Sequence, residues 1–257
     1  MSDSPLPEAK EEEIKPWDPI AGLFFCDTYR EITRKTSGLD TFVFSMLTKT
    51  QMESMLKHLA IQPGEQVLDL GCSCGSLTQL IAKQSGAEVL GMDLSQACIK
   101  VAREQFGNDA TFTQRNFDEE LPSGPFDVIY AIDTLYFSED LKGLVKKLLG
   151  HLKPGGRLAI FWSQVGDPPL KEAPRDAHNT PVARKLRDND VSYQTIEFTE
   201  EEFAYWPRQH ATLEKAKAKL LNEVHPRLVE VICHEAEAMV DRCSKDQIRR
   251  YLYIAKK

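Results

Sequence analysis

Asp69-Leu70-Gly71-Cys72-Ser73-Cys74-Gly75 is the stretch that decides how this chain folds. It emerges from Gln66-Val67-Leu68-Asp69-Leu70, an apolar run of the length of a buried strand, and it leads into Leu77, Leu80 and Ile81, which recur at helical spacing. Strand, glycine turn and helix in that order open a βαβ unit. Such a turn aims its backbone N–H groups and the helix N-terminus at a ligand on the carboxyl edge of a sheet.

Working outward, the alternation continues. Strands are expected at 87–92, 110–116, 126–132, 157–163, 191–198 and 248–254, helices at 95–106 and 141–152, and a turn at Lys153-Pro154-Gly155-Gly156. Upstream, apolar residues from Leu39 to Leu59, including Phe42, Met46, Met52, Met55 and Leu56, predict a helix over that span, closed off before Pro63-Gly64. The fold class is α/β: a doubly wound, mostly parallel seven-stranded sheet with an N-terminal helical lid and a helical insertion before the last strand. Residues 1–16 read as a disordered tail and 17–257 as a single domain. Within it 17–60 form the lid, about 166–245 contain the substrate cap, and 200–242 are mainly helical.

Composition narrows the function. With 257 residues, 42% apolar and 28% charged, the chain can bury a core without disulfide or metal staples. A net charge of -7, with Lys and Arg interleaved among acids, argues against nucleic acid as a partner. Of the six cysteines only Cys72 and Cys74 are close together, and no second ligand pair follows, so no metal is expected. The acidic start of the chain has no apolar run, which predicts neither leader nor membrane anchor, hence reduced thiols and a cytoplasmic location.

Three ligands compete for the glycine turn. A Walker-type phosphate loop fails because no Gly-Lys-Ser/Thr follows. A dinucleotide is disfavoured because Asp69 would set a carboxylate beside the pyrophosphate. S-adenosylmethionine offers an ammonium group and no phosphate, which turns that carboxylate into a favourable contact. Asp93, at the end of the next strand, has the chemistry to take both ribose hydroxyls.

Residues 67–75, Asp93, Asn116-Phe117-Asp118, 126–137 and 148–162, with the Leu-Lys-Pro-Gly-Gly-Arg-Leu turn before the fifth strand, together resemble the class I (Rossmann-like) S-adenosylmethionine-dependent methyltransferase family. The likeness spans about residues 65–165. One departure is Ser73, where the family usually has glycine. The resemblance implies that Asp69, Gly71, Ser73 and Gly75 line the methionine part of the cofactor. It assigns Asp93 and Leu94 to the ribose and adenine, Asn116 and Phe117 to the adenine, with Asp118 as the alternative, and Ile132 to the region beneath the sulfur.

Methyl transfer from a sulfonium is an in-line displacement that depends mainly on alignment; an oxygen nucleophile needs a base, whereas a thiol or neutral amine needs little beyond positioning. Asp133 and Tyr136, just past the fourth strand, are the candidate catalytic residues. Tyr136, Trp162, Tyr193 and Trp206 are the candidate substrate pocket, and Phe24, Tyr29 and Phe42 the candidate lid over the cofactor. The expected activity is methylation of a small-molecule acceptor. Two alternatives stand beside it: intramolecular cyclisation or cleavage of S-adenosylmethionine itself, releasing methylthioadenosine, and a non-catalytic cofactor-binding scaffold. Oligomeric state is not encoded in any motif.

Overall fold

The computed structural model describes residues 19–166 and 176–257; Trp17, the expected tail and the proline-containing stretch 167–175 lie outside the described residues. Alternating strands and helices build one seven-stranded sheet: β1 (Gln66–Leu70), β2 (Glu88–Asp93), β3 (Thr111–Gln114), β4 (Phe126–Ile132), β5 (Leu152–Val165), β6 (Tyr193–Glu197) and β7 (Ile248–Lys256), in the spatial order β3-β2-β1-β4-β5-β7-β6. The first five strands run parallel, and β7 enters antiparallel between β5 and β6. The order reverses between β1 and β4, so a crevice opens at their carboxyl ends, the place where such sheets bind ligands.

Parallel strands are covered on both faces, and the burial of β1 follows from that. Val67 points into one core with Leu59, Ile81, Val128 and Phe161, while Leu68 and Leu70 point into the other with Ile129, Leu144, Leu148 and Ile160. Each such fully buried aliphatic side chain contributes roughly 1.5–3 kcal/mol. The helices that cover the faces are α4 (Ser76–Ser85), α5 (Gln96–Phe106), α6 (Leu141–Gly150) and α7 (Pro181–Asp188) together with α3 (Lys49–Leu59). Gly75, at φ +77°, turns the chain from loop to α4; a Cβ there would come within 2.8 Å of Ala102 and 2.6 Å of Phe112, so the turn packs directly on α5 and β3.

A third core joins the two ends of the chain. Helices α1 (Ile20–Phe24) and α2 (Asp27–Ser37) pack with α8 (Thr199–Glu223) and α9 (Pro226–Ser244) through Leu23, Tyr29, Ile32, Tyr205, Trp206 and Leu213. Glu223 fastens α2 to the end of α8, accepting bonds from the Thr28 backbone at 3.1 Å and the Thr28 hydroxyl at 2.5 Å. The helical insertion before the last strand is therefore α8 and α9, and its partner is the N-terminal lid.

The expected helix over 39–59 is shorter: only Lys49–Leu59 is helical. Thr48 caps its start by accepting the Gln51 N–H at 3.2 Å, and Ser45 takes the Leu47 N–H. Phe42 buries itself against Phe24 and Tyr29, with ring centroids 5.5 and 6.1 Å away, so its apolar character serves an irregular strap and not a helical stripe. Expected strand 157–163 extends to Leu152–Val165: its start pairs with β4 at Phe126–Leu152, taking in the expected turn 153–156, and its end pairs with β7 as far as Val165–Ile248.

Candidate active site

The turn from β1 to α4 is shaped by backbone that ordinary residues avoid. Gly71 has φ +83°, and a Cβ on it would collide with the Thr134 side chain, so the first glycine rests directly on the turn after β4. Ser73 adopts φ +50° without being glycine, a conformation that costs an L-residue roughly 1–2 kcal/mol. Its N–H donates to Asp93 Oδ2 at 2.8 Å, and the Ser95 N–H donates to Asp93 Oδ1 at 2.9 Å. Asp93 thus ties the glycine turn to the start of α5.

Asp69, Gly71, Ser73 and Ile132 line a cavity of about 50 Å³ at the switch point, joined by Phe42, Val43, Phe44, Ser45, Cys72, Cys74, Ser76 and Leu77. Ligand pockets run to roughly 300–1,000 Å³, so this space has room for one end of a ligand only. The carboxyl edge of the sheet carries the other cofactor candidates. Leu94 is 38% exposed. Asn116 holds the following turn through its Oδ1 to the Asp118 N–H, and Phe117 packs partly buried against the core. Asp118, the alternative adenine contact, accepts from the Ser138 hydroxyl and the Glu139 N–H.

Asp69 is buried and accepts the Thr78 hydroxyl at 2.6 Å. Burial pushes its carboxyl up to about 7, with nearby Asp93 adding to the shift and the Thr78 bond opposing it. Ser73 Oγ and Ser76 Oγ, both at the cavity, are buried without a hydrogen-bond partner among the described residues. Acceptors that gain from a cation, together with orphaned hydroxyls, suit an ammonium and polar ligand at this end of the sheet. The donor set fits the methionine end of adenosylmethionine.

Past Ile132 the chain makes a second unusual turn. Asp133 has φ +53°, and its carboxylate is clasped by Arg250 of β7, whose Nη1 donates to Oδ1 and whose Nη2 donates to Oδ2 at 3.0 Å. The Tyr136 hydroxyl donates to Oδ1 at 3.0 Å and the Met46 N–H to Oδ2 at 3.3 Å. Arg250 is 0% exposed; it also donates to Ser163 Oγ at 3.0 Å, stands 4.8 Å above the Phe161 ring and lies 3.6 Å from Glu202 of α8. Burial pushes Glu202 up to about 7 against the pull of Arg250.

The sequence-predicted residues are only partly brought together. Tyr136 stacks on Trp162 with centroids 4.6 Å apart, next to Asp133. Tyr193 sits on the edge strand β6 with His178 and Tyr253. Trp206 lies in the third core and donates to Glu202 at 2.8 Å. The expected four-aromatic pocket is therefore not one site: Tyr136, Trp162 and Tyr193 pack on one face of the sheet, Tyr193 at its edge strand, and Trp206 lies in the third core. Arg250, Glu202, Gln51 and Thr134 went unread in the sequence; a charged pair inside otherwise apolar β7 was the one available signal for Arg250.

A methyltransferase-domain family profile matches residues 67–156, the span holding the glycine turn, Asp93 and the Lys153-Pro154-Gly155-Gly156 start of β5. Over that span the chain carries a methyltransferase domain and resembles the class I S-adenosylmethionine-dependent methyltransferases. Among curated members, phosphoethanolamine N-methyltransferase 1 of Arabidopsis thaliana is 27% identical over 236 residues, 86% of this chain and 46% of that protein. The 2-methyl-6-phytyl-1,4-hydroquinone methyltransferase of Synechocystis is 33% identical over 132 residues, 50% of this chain and 41% of that one. The chain spans less than half the length of these family members. Phosphoethanolamine N-methyltransferase 2 of Haemonchus contortus, solved with phosphomonomethylethanolamine and S-adenosylhomocysteine, shares the fold at a TM-score of 0.73 and 19% identity, over 91% of this chain and 58% of that one. Among the described residues no cluster suits a metal and no helix is long and apolar enough to cross a membrane.

Proposed function

We propose that this protein transfers a methyl group from S-adenosylmethionine to a small-molecule acceptor. The observation that carries the reading is the cradle at the switch point: a glycine turn resting on Thr134, two carboxylates at the ends of β1 and β2, and two orphaned serine hydroxyls facing one cavity. When bound, the cofactor supplies an electrophilic methyl on a sulfonium. Asp69 then holds an ammonium group, Asp93 meets the ribose hydroxyls, Leu94, Asn116 and Phe117 border the adenine, and Ile132 sits beneath the reacting sulfur. The strap 42–45 lines the same cavity.

Family members that methylate phosphoethanolamine, sterols or a quinol support a small-molecule acceptor for this chain as well. The test is mass spectrometry of purified protein with adenosylmethionine alone and then with a pooled small-metabolite extract. Adenosylhomocysteine formed only with the extract is the expected result. Methylthioadenosine formed enzymatically without any acceptor would overturn it, and so would cofactor binding with no turnover in either mixture.

A further inference from the structure

The glycine turn carries two thiols that methyl transfer does not use, and one of them meets a partner on another helix. Three consecutive residues of the turn abut α5 in order. Ser73 is joined to Ser95, the cap of that helix, through the two oxygens of Asp93. Cys74 faces Cys98 in the first turn of α5, and the two thiols are hydrogen-bonded to one another. Gly75 lies against Ala102, where an added Cβ would come within 2.8 Å. Positions 98 and 102 share one face of a helix, so the packing of 74–75 on that face brings both sulfurs to a single contact in the third core.

Both cysteines are free and each is 1% exposed, so the way in is the cavity, which Cys74 lines with Asp69, Ser73 and Ser76. A water molecule needs about 10–15 Å³ of such space. A cavity of about 50 Å³ therefore admits an oxidant the size of hydrogen peroxide. The two sulfurs are also unequal. The bond from Cys74 lowers the Cys98 thiol below its ordinary value, and a helix N-terminus favours a thiolate at the same place. That bond, together with burial, raises Cys74. Cys72 belongs to a different core, with Val67 and Ile81, and its sulfur packs against Gly91.

We propose that Cys74 and Cys98 form a peroxide-sensitive dithiol that disables the cofactor site when it is oxidised to a disulfide. This rests on the cavity being the cofactor site. The Cys98 thiolate displaces hydroxide from hydrogen peroxide and becomes a sulfenic acid, and the hydroxide takes up the proton that the thiol had released. Cys74 then gives its proton to the sulfenic oxygen as its sulfur displaces water and the S–S bond forms. Two thiols and one peroxide yield one disulfide and two waters. The new bond draws the turn onto α5. Gly75 has no room to follow, because Ala102 and Phe112 already touch it, so the displacement falls on Ser73, at φ +50°, and on its bond to Asp93. Those are the residues that shape the methionine end of the cavity and the ribose contact.

The experiment treats the full chain with hydrogen peroxide, with and without saturating S-adenosylhomocysteine, and digests it without reductant. Tandem mass spectrometry that separates Cys72 from Cys74 locates any link, and calorimetry follows S-adenosylhomocysteine binding before oxidation, after it, and after dithiothreitol. A Cys74–Cys98 link that forms more slowly with ligand bound is expected, with affinity reduced about tenfold or more in the linked protein and restored by dithiothreitol. Cys98→Ser is expected to bind the ligand equally before and after peroxide. A link through Cys72, no link at all, a Cys74–Cys98 link with unchanged affinity, or an equal loss in Cys98→Ser overturns the proposal. Untreated protein that does not bind S-adenosylhomocysteine overturns the cofactor reading, and the regulatory role with it, whether or not the link forms.

Discussion

Replacing Asp133 by alanine removes the partner of a cation that is 0% exposed while its own side chain is 9% exposed. Breaking a buried pair from one side costs about 3–5 kcal/mol, because the remaining charge stays where water cannot reach it. Two features of this site adjust the figure. Alanine is a worse occupant than aspartate of φ +53°, which adds about 1 kcal/mol. Glu202, 3.6 Å from Arg250 and near half-ionised around neutral pH, becomes a fuller counter-charge, which returns a similar amount. The expected loss is about 4 kcal/mol at pH 7. At a urea slope of about 3 kcal/mol per M the midpoint falls by roughly 1.3 M. The assay is urea unfolding followed by far-ultraviolet circular dichroism and tryptophan fluorescence, with coincident transitions as the check on two-state behaviour. Asp133→Ala combined with Arg250→Met should be less destabilised than Asp133→Ala alone, since the double variant leaves only Glu202, which takes up a proton. A single-variant loss below about 1 kcal/mol, or a double variant weaker than the single, would refute the reasoning.

Four further outcomes follow from the same geometry. Asp69 and Glu202 both have folded values raised to about 7 from unfolded values of 3.8 and 4.5, so the stability they contribute is present below about pH 4 and lost as pH rises through 7. Urea midpoints of the cofactor-free protein should fall between pH 5 and 8, and Asp69→Asn should flatten part of that slope. Glu223 acts in the opposite sense: held down to about 2 by Thr28, it supports the fold above about pH 4.5 and releases α2 as pH drops toward 2, visible as early acid exposure of residues 27–37 in hydrogen exchange. Because only ionised Asp69 pairs with an ammonium, S-adenosylhomocysteine should bind more tightly as pH passes 7, by up to about tenfold by calorimetry, with Asp69→Asn showing no such dependence. Gly71→Ala should lose cofactor binding and at least about 3 kcal/mol of stability, since its Cβ meets Thr134 at φ +83°, and Thr134→Ala in the same chain should restore part of the stability.

How much of this was legible in the amino-acid order depends on the range of the interaction responsible. The run 66–75 announced strand, turn and helix because those depend on neighbours: a buried apolar pentad, glycines where φ is positive, and a helical stripe after them. The same local signals located Asp69 and Asp93, since a strand end in a parallel sheet has a known edge, and β4 was read to the residue at Phe126–Ile132. The strap at 39–48 misled, because Phe42 and Met46 fall at helical spacing while their burial comes from α1, α2 and the end of β4. The aromatic pocket misled for the same reason: Trp162 and Tyr193 pack on one face of the sheet, whereas Trp206 is buried in the third core with α1, α2 and α9.

By itself the sequence determined the class of fold, the glycine turn and the acids at the ends of two neighbouring strands, all of them properties of residues a few positions apart. Only the tertiary structure decided what surrounds Asp133 at the end of β4. Arg250 meets Asp133 across 117 positions of chain, and Glu202 and Gln51 reach it from two other helices. No pattern along the chain records such a meeting, since it depends on β7 inserting antiparallel beside β5 and bringing a buried charge to the end of a strand formed far earlier.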